Sequence, residues 1–215
     1  MKGIYGAWRA RVQRGVMIFL AALLFAGPAA AVSSKTILVL GDSLSAGYGL
    51  AANQGWVALT AQRMRASHPQ WRVVNASISG DTSFGGASRA AAEIARSHPA
   101  VVVVELGAND GLRGLSLAQT RTNLERIIRT AQAAKATVLL IGMRLPPNFG
   151  PEYTRTFEQT YSDLAKRHDT AFVPFLLAPI AADRNAFQAD NMHPVAAAQP
   201  KLRDHVWRSL APLLR

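Results

Sequence analysis

The chain has 215 residues, 49% of them hydrophobic, and its 24 basic and 13 acidic residues give a net charge of +11. This length suits one globular domain with a substantial core. The absence of cysteine excludes disulfide bonds, thiol catalysis, thiolate metal sites and lipid attachment through cysteine. No basic run is interleaved with aromatic residues, so nucleic acid is not an expected partner.

The first 31 residues have the pattern of an export signal. Four basic residues precede an uncharged apolar stretch at 16–26, and small residues follow it up to Ala31. A membrane anchor is the alternative, but the apolar stretch is shorter than the ~20 residues that a spanning helix needs. We therefore expect cleavage near Ala31, which leaves residues 32–215 as a single exported domain. Because the removed segment holds four basic and no acidic residues, this domain carries +7, which suits either a solvated arginine-rich surface or contact with anionic lipid.

Strand-like and helix-like stretches alternate along this domain without a repeat or a linker. In chain order they are strand 36–40, helix 53–67, strand 71–75, helix 84–97, strand 100–106, a helix opened by a capping box at 116–119, strand 136–142, a helix containing 153–164, strand 171–174 and a closing helix 195–213. Repeated β-α units predict a three-layer α/β/α, flavodoxin-like fold with a doubly wound five-stranded parallel sheet.

The turns after the first three strands are rich in polar or flexible residues. Gly41-Asp42-Ser43 follows the first strand, Gly80 lies after the second, and Asn109 follows the third. Because the carboxyl ends of parallel strands meet at one edge of the sheet, we expect these turns to lie together. Ser43 would offer a nucleophilic hydroxyl there, and the amides of Ser43 and Gly80 with the Asn109 side chain would form an oxyanion hole. Each residue alone is also an ordinary turn former, so the prediction depends on the set.

A serine nucleophile needs a base, and His193 is the candidate among the five histidines. Three residues separate Asp190 from His193, so one tight turn would set the carboxylate against Nδ1 and leave Nε2 free for Ser43. Pro194 would then occupy the first position of the closing helix. The alternative is an aspartate cap with an incidental histidine. The remaining histidines precede a proline in predicted loops, as His68 and His98 do, or lie in polar helical stretches without a partner pattern, as His168 and His205 do.

Taken together, these blocks resemble those of the SGNH (GDSL) hydrolases, and in particular the bacterial periplasmic thioesterases, lysophospholipases and arylesterases of that superfamily. The matching blocks are Gly41-Asp42-Ser43-Leu44, Gly80, Gly107-Ala108-Asn109-Asp110 and Asp190-x-x-His193-Pro194, and the likeness runs from about Thr36 to Arg215. The resemblance implies an exported, periplasmic serine esterase acting on acyl esters and thioesters. Ser43 would be its nucleophile, His193 its base and Asp190 the orienter of the base. It also implies that Ser43, Gly80 and Asn109 donate to the oxyanion, and that the enzyme is a monomer without cofactor or metal.

The resemblance further implies a flexible loop near 106–114 that contacts acyl chains. The expected substrate contacts are Leu44, Asp110, Gly111, Leu112 and Met192. The chain departs from the family between the aspartate and the histidine, where a glycine is common and Asn191 and Met192 stand here. Asparagine accepts left-handed backbone angles more readily than methionine, so the geometry of this turn is open.

Two other functions stay open at this point. One is a carbohydrate acetylesterase acting on envelope polysaccharide, and the other is a catalytically silent, exported protein that binds a lipid or glycan. No G-x-S-x-G motif surrounds Ser43, which excludes the nucleophile elbow of the α/β-hydrolases. A phosphate loop and a dinucleotide fingerprint are also absent.

Overall fold

Five parallel strands form the central sheet in the computed structural model, which describes residues 34–214. Their order is β2-β1-β3-β4-β5, and each neighbouring pair is parallel. The strands are β1 (Lys35–Gly41), β2 (Trp71–Asn75), β3 (Val101–Glu105), β4 (Thr137–Ile141) and β5 (Ala171–Val173). Every residue of β3 is buried, as expected for a strand covered on both faces. The predicted doubly wound sheet is confirmed, whereas the predicted export signal at 1–31 lies outside the described residues.

The described part of the chain has seven α-helices, and the five long ones cover the two faces of this sheet. They are α1 (Ser43–Ala46), α2 (Trp56–Ser67), α3 (Ser83–Ser97), α4 (Ala108–Leu112), α5 (Leu117–Ala133), α6 (Pro151–Arg167) and α7 (Gln199–Leu210). Helices α2 and α7 contact each other, and α3, α5 and α6 contact one another in a row. The helices therefore form two layers. None of them is both long and apolar enough to span a membrane.

The apolar faces of the long helices pack inward. Leu124, Ile127 and Ile128 of α5 are fully buried, as are Phe157 and Leu164 of α6. Burial of each such side chain contributes roughly 1.5–3 kcal/mol to folding. These faces hold the helices against the sheet and leave its carboxyl edge to the loops.

Several predicted boundaries move in the structure. Helix α2 begins at Trp56 rather than at residue 53, because Gln54 accepts the Ala51 amide in a preceding turn. Of the predicted capping box, Ser116 does accept the Gln119 amide, but the Gln119 side chain donates to Asn123 instead of returning to Ser116. The capping is therefore one-sided.

The prediction that Pro194 opens the closing helix is wrong. Helix α7 begins at Gln199 and has Pro200 in its first turn, after a 3₁₀ turn at Ala196–Ala198. Pro194 instead forms an isolated antiparallel bridge with Phe187. Its carbonyl accepts the side-chain amides of Gln188 and Gln199, which fixes the loop that carries His193.

Candidate active site

Ser43 lies at a sharp turn from strand β1 into helix α1. Asp42 caps this helix, and its Oδ1 accepts the Leu44 amide at 3.0 Å. Gly41 has no space for a side chain, since a Cβ there would lie 2.6 Å from the Cβ of Ser45. The strand therefore passes directly into the helix, and Ser43 stands at the carboxyl edge of the sheet beside the β1–β3 crevice.

A continuous set of hydrogen bonds joins Ser43, His193 and Asp190. The Ser43 Oγ lies 2.8 Å from His193 Nε2, and His193 Nδ1 lies 2.7 Å from Asp190 Oδ2. The other oxygen of Asp190, Oδ1, accepts the amides of Met192 at 2.9 Å and His193 at 3.0 Å. The tight turn expected from the spacing is present, and its left-handed residue is Asn191, with φ of 57°. Asparagine thus fills the place where the family often has glycine, and Met192 escapes the strain.

The same hydrogen bonds determine the charge of Asp190. They hold its pKa at about 2, with the His193 amide contributing most, followed by the His193 ring and the Met192 amide. Asp190 is therefore ionised at any pH near neutrality and can orient and stabilise a charged His193 ring. The ring of Tyr48 packs against the His193 ring with centroids 4.5 Å apart, which restricts its rotation.

Two of the three expected oxyanion donors are free and the third is hydrogen-bonded within the protein. Among residues 34–214 the amide N–H groups of Ser43 and Gly80 have no acceptor, and Gly80 adopts φ of 79°, which glycine allows. The Asn109 Nδ2 donates to Asp42 Oδ2 at 3.1 Å and to the Asp81 carbonyl at 2.9 Å. Both N–H groups of Asn109 therefore have partners inside the protein.

The loop that carries Gly80 is tied to the body of the protein by arginines. Arg89 donates to Asp81 Oδ2 at 2.9 Å from Nε and forms an ion pair with it at 2.8 Å from Nη2. Arg113 donates to the Gly80 carbonyl at 3.1 Å. These bonds hold the backbone that directly follows the Gly80 amide, and a fixed backbone is what a preorganised donor requires.

Beside Ser43 lies a cavity of about 370 Å³ with mainly apolar walls. Of the expected substrate contacts, Leu44, Leu112 and Met192 line it. Further lining residues that the sequence analysis missed come after β4 and β5 and near His193, and these are Met143, Arg144, Leu145, Pro146, Pro147, Phe175, Leu177, Ala181 and Phe187. Extending the carboxyl-edge rule to the fourth and fifth strands would have found most of them.

Asp110 and Gly111 do not reach this cavity, which corrects the expectation that they contact substrate. Asp110 is buried, and its carboxylate accepts the amide and hydroxyl of Ser83 and the hydroxyl of Thr120. Gly111 lies against the protein interior, where a Cβ would come within 2.7 Å of Leu145. Most of the expected loop at 106–114 is the short helix α4. The residue before this helix, Gly107, adopts a left-handed conformation.

Two buried acids behind Ser43 were not singled out from the sequence. Asp42 is 1% exposed and Glu105 is fully buried, and the Ser45 hydroxyl donates to Glu105 Oε2 at 2.7 Å. Burial raises the pKa of Asp42 to about 6. Burial also raises the pKa of Glu105 well above its ordinary value, and the nearby charge of Asp42 raises it further.

Two of the other histidines, His168 and His205, have structural partners outside the cavity. His168 Nε2 pairs with Glu125 Oε1 at 2.9 Å, and His205 Nε2 lies 3.0 Å from the Phe175 carbonyl. The sequence analysis found no partner pattern for either residue, because both partners come from distant segments. Within residues 34–214 no group of three His, Asp or Glu side chains is arranged to hold a metal ion.

Comparison with known proteins identifies the family of the chain. The family model described as the GDSL-like lipase/acylhydrolase family matches residues 39–199. Esterase TesA of Pseudomonas aeruginosa is 50% identical over 182 residues, which cover 85% of this chain and 90% of that protein. A protein of Escherichia coli named thioesterase 1/protease 1/lysophospholipase L1 is 41% identical over 197 residues, covering 92% of this chain and 91% of that protein.

A solved structure has the same architecture. The psychrotrophic esterase EstA from Pseudoalteromonas sp., inhibited by monoethylphosphonate, superimposes with a TM-score of 0.80 at 38% identity, covering 84% of this chain and 99% of that one. The chain therefore belongs to the GDSL-like lipase/acylhydrolase family, the SGNH hydrolases, and is a serine ester hydrolase.

Proposed function

We propose that Ser43 is the nucleophile of this hydrolase, His193 its general base and Asp190 the group that orients the base. The observation that carries the proposal is the unbroken Ser43–His193–Asp190 set of hydrogen bonds, at 2.8 and 2.7 Å. Both distances lie within the range over which a proton can be passed between heavy atoms. The ionised Asp190 keeps the proton on Nδ1, so that Nε2 is the basic nitrogen.

In the proposed reaction, His193 Nε2 takes the proton of Ser43 as Oγ attacks the acyl carbon. The carbonyl π electrons move to oxygen, and the amides of Ser43 and Gly80 stabilise the resulting O⁻. The tetrahedral intermediate collapses when His193 returns the proton to the leaving alcohol or thiol. Water then attacks the acyl-Ser43 ester with His193 again as base, and the carboxylic acid leaves with Ser43 restored.

Asn109 is proposed as the third oxyanion donor, although its two N–H groups have internal partners. To serve, the amide has to exchange its bond to the Asp81 carbonyl for one to the oxyanion. A neutral hydrogen bond contributes only about 0.5–1.5 kcal/mol net, whereas one oxyanion donor contributes about 2.7–4 kcal/mol in the transition state. The exchange is therefore favourable when negative charge develops, while the bond to Asp42 continues to hold the side chain.

The apolar cavity supports acyl esters and thioesters as the substrate class. Leucine, methionine, phenylalanine, proline and alanine residues form most of its walls, and each methylene buried there contributes about 0.8 kcal/mol. The names of two relatives, esterase and thioesterase/lysophospholipase, point the same way. We propose arylesters, lysophospholipids and acyl thioesters as substrates, with lysophospholipids or other envelope esters as natural ones after export to the periplasm.

Peripheral contact of a monomer with anionic lipid is the remaining part of the proposal. Five large hydrophobic side chains of the described residues are exposed, and all lie in segments that follow the carboxyl ends of strands: Tyr48, Ile78, Phe84, Leu115 and Met192. The predicted mature chain also carries +7. Exposed apolar side chains on a cationic protein suit an anionic lipid surface.

Vesicle sedimentation tests this contact. We expect the protein to sediment with phosphatidylglycerol vesicles, and replacement of Ile78 and Phe84 by serine to reduce the sedimented fraction. An equal sedimented fraction in the wild type and the variant would contradict the proposed contact.

The substrate proposal is tested with purified protein on a panel of esters. We expect hydrolysis of p-nitrophenyl acyl esters, acyl-CoA and lysophosphatidylglycerol by the wild-type protein and none by Ser43→Ala. Acetylated xylan serves as the competing substrate, because a carbohydrate acetylesterase would prefer it to long acyl chains. Preference for the acetylated sugar would overturn the acyl-chain proposal, and absence of any Ser43-dependent turnover would overturn the enzyme mechanism.

A further inference from the structure

Two buried acids form a connected cluster directly behind Ser43. Glu105 ends strand β3 beside Gly41 of β1, and Asp42 follows Gly41 in the chain. Both side chains are almost completely buried, Asp42 at 1% exposed and Glu105 at 0%. The catalytic steps described above use neither of them, and buried carboxyl groups without cationic partners are costly to ionise.

The hydrogen bonds of Glu105 are incomplete if it is a carboxylate. Its Oε2 accepts the Ser45 hydroxyl, but no donor of the described residues reaches Oε1, although this atom is buried. Asp42 follows Gly41, which is paired with Glu105 in the β1–β3 register, and its charge is close enough to Glu105 to raise the pKa of that carboxyl group. A proton on Glu105 would turn this acceptor–acceptor contact into a hydrogen bond and satisfy the orphaned oxygen.

Asp42 links Glu105 to the reaction site through its own hydrogen bonds. Its Oδ1 accepts the Leu44 amide, and its Oδ2 accepts Asn109 Nδ2 at 3.1 Å. Each carboxylate oxygen can accept two hydrogen bonds, so Asp42 has capacity for a third donor. Glu105 thus contacts Asp42 from the protein interior, and Asp42 holds the Asn109 amide on the side of the reaction site.

We propose that Glu105 keeps a proton that it shares with Asp42, and that this acid pair positions the Asn109 amide beside Ser43. The inference rests on the proposed function, in which Asn109 donates to the oxyanion. A pair with one shared proton carries a single negative charge. Two charges there would oppose each other and would also oppose the O⁻ that forms at the substrate. Glu105 is therefore a positioning residue and does not touch substrate.

The experiment compares Glu105→Gln with Glu105→Leu. Glutamine keeps a donor for Asp42 and an acceptor for Ser45, as protonated glutamate does, whereas leucine removes both. We expect kcat of the glutamine variant within ~3-fold of wild type. The leucine variant should lose up to ~10²-fold in kcat with little change in KM, as a small misplacement of a catalytic group does. A glutamine variant as inactive as the leucine variant would overturn the protonated state.

A double-mutant cycle tests whether Glu105 acts through Asn109. In the Asn109→Ala background, Glu105→Leu should cause little further loss of kcat, because the group that it positions is gone. Fully additive losses would overturn the positioning role. If Asn109→Ala alone keeps full activity, the oxyanion assignment in the proposed function fails and the positioning role of Glu105 falls with it, while the infrared measurement below still decides the shared proton.

The shared proton has a readout that is independent of activity and of the leucine variant. The infrared difference spectrum between wild type and Glu105→Gln at neutral pH should contain the C=O band of a protonated carboxylic acid in the wild type. Asp42→Asn serves as the matched control, in which this band should shift because its hydrogen-bond partner has changed. A difference spectrum with carboxylate bands only would overturn the proposal.

Discussion

Replacing Asn109 separates its two possible functions, as an oxyanion donor and as a former of local structure. Asn109 is the second residue of helix α4 and does not adopt a positive φ. Its backbone therefore does not require asparagine or glycine, and alanine is the better replacement. By helix propensity, Asn109→Gly should be about 0.5–1 kcal/mol less stable than Asn109→Ala.

The stability cost of Asn109→Ala comes from the atoms left behind. The substitution removes the donors to Asp42 Oδ2 and to the Asp81 carbonyl, and Asp42 is 1% exposed. Loss of a partner at a buried acceptor costs about 1–3 kcal/mol. Melting temperature and chemical denaturation should both report a loss in this range.

The catalytic cost of the same substitution is expected to be larger. Loss of one oxyanion donor lowers kcat by ~10²–10³, and the internal bond that Asn109 has to break places the expected value near ~10². Substrate binding should change little, because the donor acts on charge that develops only in the transition state. Steady-state kinetics on a p-nitrophenyl ester, with folded fractions verified by melting, measures kcat and KM separately. A kcat within ~3-fold of wild type in well-folded Asn109→Ala or Asn109→Gly would refute the oxyanion role.

Four further predictions concern the proposed triad and the backbone near it. Ser43→Ala and His193→Ala should each abolish nearly all hydrolysis, and the double variant should lose little more than either single one, because the residues act as a unit; additive losses in kcat/KM would contradict this. Asp190→Asn should lower kcat by up to ~10⁴ by favouring the wrong tautomer of His193, and an unchanged pH–rate profile would mean that another residue orients the ring. Because the pKa of Asp190 is lowered to about 2 from 3.8, its contribution to stability is present above pH 3.8 and lost as pH falls through about 2. Acid titration of unfolding should show this loss in the wild type and a smaller one in Asp190→Asn. Gly107→Ala should destabilise the fold by roughly 1–3 kcal/mol, because φ is 106° and a Cβ would lie 2.4 Å from the Tyr161 hydroxyl oxygen; an unchanged melting temperature would show that the backbone can move there.

The sequence was sufficient for the sheet because its strands are short apolar runs between turn residues. The second strand, Trp71–Asn75, has the predicted bounds, and the four valines of β3 admit little besides a strand covered on both faces. The closing helix was predicted too long at both ends. Prolines and alanines near its ends are compatible with a helix in isolation, and tertiary hydrogen bonds to the Pro194 carbonyl decide the outcome.

The neighbours of the site were predictable only where chain spacing determines them. Asp190 and His193 are three residues apart, so a local turn accounts for their contact. Asp110 was expected on the substrate side as part of the acyl-contacting loop that the resemblance implies, but a helical turn directs consecutive side chains to different faces. The role of Glu105 could not be read from the sequence either, since its partners Asp42 and Ser45 meet it only through the β1–β3 register.

The central claim is that Ser43 is the residue that becomes acylated, and covalent labelling tests it most directly. The wild-type protein is incubated with a p-nitrophenyl alkylphosphonate, which traps an activated serine as a stable adduct, and the adduct is located by peptide mass spectrometry. We predict one phosphonyl group per chain, on Ser43, with loss of activity in proportion to labelling. Ser43→Ala should form no adduct, and His193→Ala should be labelled more slowly than the wild type. Stoichiometric labelling of another residue, or an active protein that stays unlabelled, would contradict the account.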